Sequence, residues 1–230
     1  MNQLKIVFMG TATFSEAVLK NLIQHDYNIV QVVSQPDRRV GRKKELKMPE
    51  VKVVALEHDI PVFQPQRIKD DYQAIINMQP DLIITAAEGI QSRNRESWIA
   101  SICELHNLPY AGSDAYTLIV TLDKILTKLI ANYLNIPTPN FIEIASMEDA
   151  KTLLFDYPAI LKPNYEGSSM GVKLINSKED LLEHAKLLFE KYSDKLILEE
   201  FIPGKEITVS IIEKDGSPYV FGMVESLQHN

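Results

Sequence analysis

Two lysines and a glycine-serine stretch are the groups in this sequence best suited to holding a polyanion. Lys162 ends the apolar run Pro158-Ala159-Ile160-Leu161. An ammonium inside an otherwise apolar strand must meet an anion or reach out to water. Glu166-Gly167-Ser168-Ser169-Met170-Gly171 follows, and the apolar run Val172-Lys173-Leu174-Ile175 comes after it. A glycine-rich stretch between two strands is not a strand-to-helix phosphate loop; it suits a hairpin flap whose backbone N–H groups and hydroxyls can fold over phosphates. Its glycines permit close backbone approach, although glycine-serine hairpins are also ordinary turns. Lys124 and Lys128 stand one helical turn apart and present two cations on one face, a pattern that solvated lysines share. Glu199-Glu200-Phe201-Ile202-Pro203-Gly204-Lys205-Glu206 offers extended backbone to a base edge and carboxylates to ribose hydroxyls, yet an acidic pair at a strand end is commonly surface. Taken together, these groups could hold a nucleoside triphosphate.

A second polar cluster lies upstream. Arg38, Arg39, Arg42, Lys43, Lys44 and Lys47 crowd one loop. They could contact an anion or RNA, or simply form a solvated loop, and the net charge of −7 favours the solvated reading. That charge also argues against a general nucleic-acid coat or an anionic-membrane binder. No apolar run reaches the roughly 18 residues of a membrane helix, and the first residues lack a signal-peptide pattern. The single cysteine, Cys103, cannot form an intrachain disulfide, which makes a reducing cytoplasm the expected setting. Its neighbours Trp98, Ile99 and Ile102 place it in a helix interior as a packing residue.

The elements that must position these groups read as α/β. Leu4-Lys5-Ile6-Val7-Phe8-Met9 closes at Gly10 and is followed by a helical pattern through Ala17, Val18, Leu22 and Ile23. Further strands are expected at Ile29-Val30-Gln31-Val32-Val33 and Asp81-Leu82-Ile83-Ile84-Thr85-Ala86-Ala87, with a helix between them through Ile75 and Ile76. This alternation predicts a parallel sheet covered on both faces. A single long helix is expected from about residue 116 to 134, ended by Asn135 and Pro137. Beyond it, strands at 141–144, 158–162, 172–175 and 196–202 flank helices near 147–155 and 178–192. Asp215-Gly216 gives the strongest hairpin signal in the chain.

With Lys124, Lys162, the 166–171 flap and the 199–206 segment in this order and spacing, the chain from about residue 80 to 230 resembles the ATP-grasp domain of the D-alanine-D-alanine ligase family. Ala87-Glu88-Gly89-Ile90-Gln91-Ser92-Arg93-Asn94-Arg95-Glu96 and Leu108-Pro109-Tyr110-Ala111-Gly112-Ser113-Asp114 carry the same resemblance upstream. It implies a Rossmann-like N-terminal domain at 1–115, an ATP-grasp central part at 116–195 and the start of a C-terminal part at 196–230. It also implies ATP-driven ligation of a small carboxylate and an amine through an acyl phosphate, where positioning and charge neutralisation dominate. Lys124 and Lys162 would hold phosphates, Glu166, Gly167, Ser168, Ser169, Met170 and Gly171 would close over them, Glu199, Glu200, Phe201 and Ile202 would line the adenine, and Glu206 would touch the ribose. Mg²⁺ is expected with ATP, but the late acidic residues and Asn that hold it in that family have no counterpart before Asn230. An incomplete ATP-grasp domain is therefore expected, short of full turnover and with a bare sheet edge that could leave it partly folded.

Residues 1–87 resemble a different family. Lys5-Ile6-Val7-Phe8-Met9-Gly10-Thr11, Gln35-Pro36-Asp37-Arg38, Gly41-Arg42-Lys43-Lys44, Ala55-Leu56-Glu57-His58 with Ile60-Pro61-Val62, and Pro80-Asp81-Leu82-Ile83-Ile84-Thr85-Ala86-Ala87 are similar to the start of methionyl-tRNA formyltransferase, with Ala12-Thr13 departing from its usual Pro-acidic pair. That family's Asn-x-His pair and later Asp would follow the point where the resemblance stops, and Asn107-Leu108-Pro109 does not supply them. This segment is thus expected to be a sheet scaffold without formyl transfer; the alternative function is a methionyl-tRNA formyltransferase-like transferase that lacks its catalytic segment and binds initiator tRNA through the basic loop. The two resemblances meet in the Pro-Asp-Leu-Ile strand, where exchanging one parallel unit for another preserves the connection rule.

Overall fold

The computed structural model describes residues 4–11, 13–41, 45–87, 89, 92–192 and 194–226. The chain divides into two compact units, Met1–Tyr133 and Leu134–Asn230.

In the first unit, β1 (Ile6–Gly10), β2 (Ile29–Val33), β5 (Val62–Phe63), β6 (Leu82–Ala86) and β7 (Tyr110–Ala111) form one sheet in the order β5-β2-β1-β6-β7. All its pairings are parallel. Alternate residues of β1 enter two different cores. Ile6 and Phe8 pack with Leu19 of α1 (Thr13–Gln24) and with Val51, Val54 and Ala55 of α2 (Glu50–Glu57). Val7 and Met9 pack with Ile75 of α4 (Gln73–Asn77) and Cys103 of α5 (Trp98–Leu105). Both sheet faces are covered, as the continuous apolar runs require. At Gly10 a Cβ would lie 2.6 Å from Ser15, so the glycine lets α1 start close against the sheet. The Ser15 hydroxyl donates to the Ala86 carbonyl at 3.3 Å and ties α1 to β6.

Three features of this unit differ from expectation. Periodicity places one helix between β2 and β6, but the structure has α2, a short α3 (Ile68–Asp71) and α4. Val51, Val53 and Val54 are poor helix formers, and burial of Val51, Val54 and Ala55 overrides that propensity. The basic loop contains a small antiparallel hairpin, β3 (Arg38–Val40) with β4 (Glu45–Lys47). Arg42, Lys43 and Lys44 lie outside the described residues, as do Glu88, Ile90 and Gln91. The long helix expected over 116–134 is two helices, α6 (Ala115–Leu122) and α7 (Lys124–Tyr133), interrupted at Asp123, whose backbone is extended at φ −79° and ψ 97°. The Asp123 carboxylate accepts from the Leu126 N–H at 3.0 Å, and the Thr127 hydroxyl donates to the Val120 carbonyl at 3.0 Å. One helix is thereby capped while a carbonyl at the end of the other is satisfied.

In the second unit, β8 (Phe141–Ile144), β9 (Ala159–Pro163), β10 (Lys173–Ile175) and β11 (Leu196–Glu200) form an antiparallel sheet in the order β10-β9-β11-β8. One face packs on α8 (Met147–Thr152) and α9 (Lys178–Tyr192) through Ile144, Leu161, Ile175, Leu196 and Leu198 against Ala150, Leu181, Ala185 and Leu188. β12 (Glu206–Lys214) and β13 (Ser217–Ser226) form a separate hairpin. Asp215 and Gly216 both have positive φ, as the expected two-residue turn demands.

Candidate nucleotide site

Strand alternation places Lys162. In β9, Ala159, Leu161 and Pro163 are buried, and Ile160 and Lys162 point to the face opposite the helices. In β11, Leu196 and Leu198 enter the core while Ile197 and Glu199 share the face of Lys162. Lys162 is registered with Ile197, and Glu199 with Ile160. The two charged residues are therefore diagonal neighbours, and their ammonium and carboxylate form an ion pair. Their side chains are only 21% and 10% exposed. The anion that a strand lysine needs is supplied in part by the chain itself.

The loop at 164–172 joins β9 to β10 next to Lys162. Ser168 and Ser169 have φ of 50° and 57°, and the Met170 N–H donates to the Gly167 carbonyl at 2.9 Å. Positive φ at both central residues belongs to type I′ turns, which favour Asn and Gly; each serine costs on the order of 1 kcal/mol there. Gly171 is also left-handed, at φ 77°. A Cβ on it would lie 2.9 Å from Cδ and Cγ of Pro163 and 3.1 Å from Cε2 of Tyr192. These two side chains fix the base of the loop. The Tyr192 hydroxyl is buried and has no hydrogen-bond partner among the described residues.

The 199–202 segment leaves β11 at the other end of β9. The Phe201 N–H donates to the Pro158 carbonyl at 3.4 Å, and the Glu200 N–H to the Asn140 carbonyl at 2.8 Å. The Asn140 side-chain amide donates to the Glu200 carboxylate at 3.3 Å. Glu200 and Phe201 line an open cleft of about 470 Å³ together with Asn140, Phe155, Tyr157 and Pro158. Four residues of strand separate this end from the loop, roughly 13 Å at the usual strand rise. The Lys162–Glu199 pair lies between the two ends. Ile202 is exposed, and Glu206 opens β12 on the surface.

The second unit thus contains Lys162, the 166–171 loop and the 199–206 segment. Lys124 belongs to the first unit, where it is the first residue of α7, and Lys128, one turn on, is buried. The sequence reading missed the Lys162–Glu199 pairing and the Pro163–Gly171–Tyr192 contact. A charged residue at the outward position of each of two core strands was the available signal for the pairing. Among the described residues no group of three or more His, Cys, Asp or Glu side chains is placed to hold a metal, and no helix is long and apolar enough to cross a membrane.

Residues 130–229 match the family model of the D-ala D-ala ligase C-terminus. The fold is that of an ATP-grasp ligase. D-alanyl-alanine synthetase A from Vibrio cholerae aligns over 100% of this chain and 68% of its own, with TM-score 0.65 and 16% identity. D-alanine–D-alanine ligase from Bacillus anthracis, complexed with ATP, aligns over 99% and 71%, with TM-score 0.58 and 21% identity. At such identities the likeness to the ATP-grasp structures is one of fold. The second resemblance read from the sequence is also present. A methionyl-tRNA formyltransferase from Bacillus thuringiensis subsp. konkukian is 56% identical over 88 residues, 37% of this chain and 28% of that protein. The chain therefore spans little more than a quarter of the curated relative it matches, alongside its ATP-grasp fold.

Proposed function

We propose that the chain binds ATP as an ATP-grasp ligase-like protein of the carboxylate–amine class, D-alanine-D-alanine ligase-like in its site. The carrying observation is the placement of a part-buried ammonium, Lys162, between a turn strained at Ser168 and Ser169 and the extended segment Glu199-Glu200-Phe201-Ile202. Backbone strain of this kind collects at ligand sites. In this reading Lys162 neutralises phosphate charge, and the family resemblance extends that role to Lys124. Glu166, Gly167, Ser168, Ser169, Met170 and Gly171 close over the phosphates, Glu199 to the chain's Ile202 line the base, and Glu206 reaches the ribose. ATP would supply the phosphoryl group that activates a small carboxylate for attack by an amine. Mg²⁺ would accompany the phosphates, and no protein ligand for it is assigned. The buried Cys103 thiol, pushed up to about 11 mainly by burial, is unreactive and suits a cytoplasmic setting.

The test is thermal. ATP at a hundredfold over its dissociation constant should stabilise the chain by about 2.7 kcal/mol and raise its melting temperature. No shift at high millimolar ATP would contradict the reading.

A second reading rests on the 56% identity to a methionyl-tRNA formyltransferase and on the β3–β4 hairpin, which carries Arg38, Arg39 and Lys47. In it the basic residues, with Arg42, Lys43 and Lys44, contact tRNA phosphates. Charge reversal at Arg38 and Arg39 should weaken tRNA binding and flatten its salt dependence. Unchanged binding would remove this reading.

A further inference from the structure

Lys162 meets a carboxylate from its own sheet. Glu199 approaches it diagonally from β11, on a face where Ile160 and Ile197 are the directly registered neighbours and Ile197 is fully buried. Water is largely kept from this pair, so each charge there depends on the other more than a surface pair would. An incoming phosphate needs the same ammonium. One ammonium has three donors, but a carboxylate and a phosphate drawn to it also repel each other at close range.

We infer that Glu199 is the internal counter-ion of Lys162: its carboxylate neutralises the ammonium when no polyphosphate is bound, and a phosphate must displace it from the ammonium, which leaves it to face the base. This inference rests on the nucleotide reading and adds to it a residue that sets the strength and selectivity of anion binding. Glu199 supports the site when empty by compensating a part-buried ammonium, and opposes its filling by competing for that ammonium. A simple monoanion should displace it poorly, whereas a polyphosphate with several charges should displace it well.

The test uses the whole chain and inorganic tripolyphosphate, with equilibrium affinity by calorimetry and melting temperature both recorded. Glu199→Gln keeps the side-chain shape and removes the competing charge. It should lower the melting temperature without ligand, because Lys162 loses its partner, and should bind tripolyphosphate roughly tenfold more tightly, the size of one charge-assisted hydrogen bond. Glu183→Gln, on α9 at the opposite face, makes the same change in net charge and should leave affinity as it was. Glu199→Ala is the second variant should the glutamine disturb folding, and it should change affinity in the same direction. If wild type binds and Lys162→Gln does not, while Glu199→Gln and Glu199→Ala bind no more tightly than wild type, the inference is overturned and the nucleotide site stands. If Lys162→Gln binds as wild type does, or no folded variant binds, the nucleotide reading itself fails and the inference falls with it.

Discussion

Gly171 lies so close to Tyr192 that a Cβ on the glycine would stand 3.1 Å from ring carbon Cε2, with Pro163 at 2.9 Å on the other side. A left-handed φ of 77° adds to the demand for glycine. Gly171→Ala should therefore destabilise the chain by about 1–3 kcal/mol in urea unfolding and weaken nucleotide binding by displacing the loop. Gly167→Ala, in the same loop but with open space around its Cα, should stay within about 0.5 kcal/mol of wild type in stability. Equal losses at the two positions would show that the loop base is not fixed in this way.

The β3–β4 hairpin is tethered from outside. The Lys52 ammonium donates to both carboxylate oxygens of Asp37, at 2.9 and 2.8 Å, and the Gln64 amide donates to Asp37 at 2.9 Å. The hydrogen bond from Lys52, then that from Gln64, holds the Asp37 carboxyl below its ordinary value. For a depressed carboxylate, the stabilisation is present in full above the unfolded-state value and is lost as pH falls through the folded-state value. Carboxyl chemical shifts should place the Asp37 midpoint below that of an ordinary aspartate, with the tether unchanged between pH 7 and 5. A midpoint at or above the ordinary value would contradict the tether.

Asp123 separates two helices that the sequence runs together. Removing its carboxylate in Asp123→Ala should cost about 1 kcal/mol in urea unfolding, the usual worth of a helix cap. No loss would mean that the break at Asp123 does not depend on capping.

The β12–β13 hairpin leaves Ile207, Val209, Ile211, Val220, Phe221 and Met223 between 44% and 70% exposed. A two-stranded hairpin without packed support is marginal in water. Its amides should exchange with solvent much faster than those of β9 and β11, which sit in the buried core. Equal protection in all four strands would contradict this.

How far the sequence could be read depended on the range of the interaction. Strands β1, β2, β6, β8, β9, β10 and β11 were legible from their apolar runs, whereas the two-residue β5 and the polar β3 and β4 were not; Lys162 was legible too, because a lysine in such a run demands a partner. The identity of that partner was not, since antiparallel register brings Glu199 to Lys162 across 37 residues. Asp123 sat within an apolar periodic pattern that masked a local cap. The basic stretch near Arg38 lacks alternation of its own and takes its anchor from Lys52 and Gln64, residues made neighbours of Asp37 only by folding.

The most direct measurement is a calorimetric titration of ATP into the wild-type chain and into Lys162→Gln, with both confirmed folded by circular dichroism. Saturable binding by wild type and its loss in the variant is the predicted result. Equal binding by both proteins, or none by wild type, would contradict a nucleotide site built around Lys162.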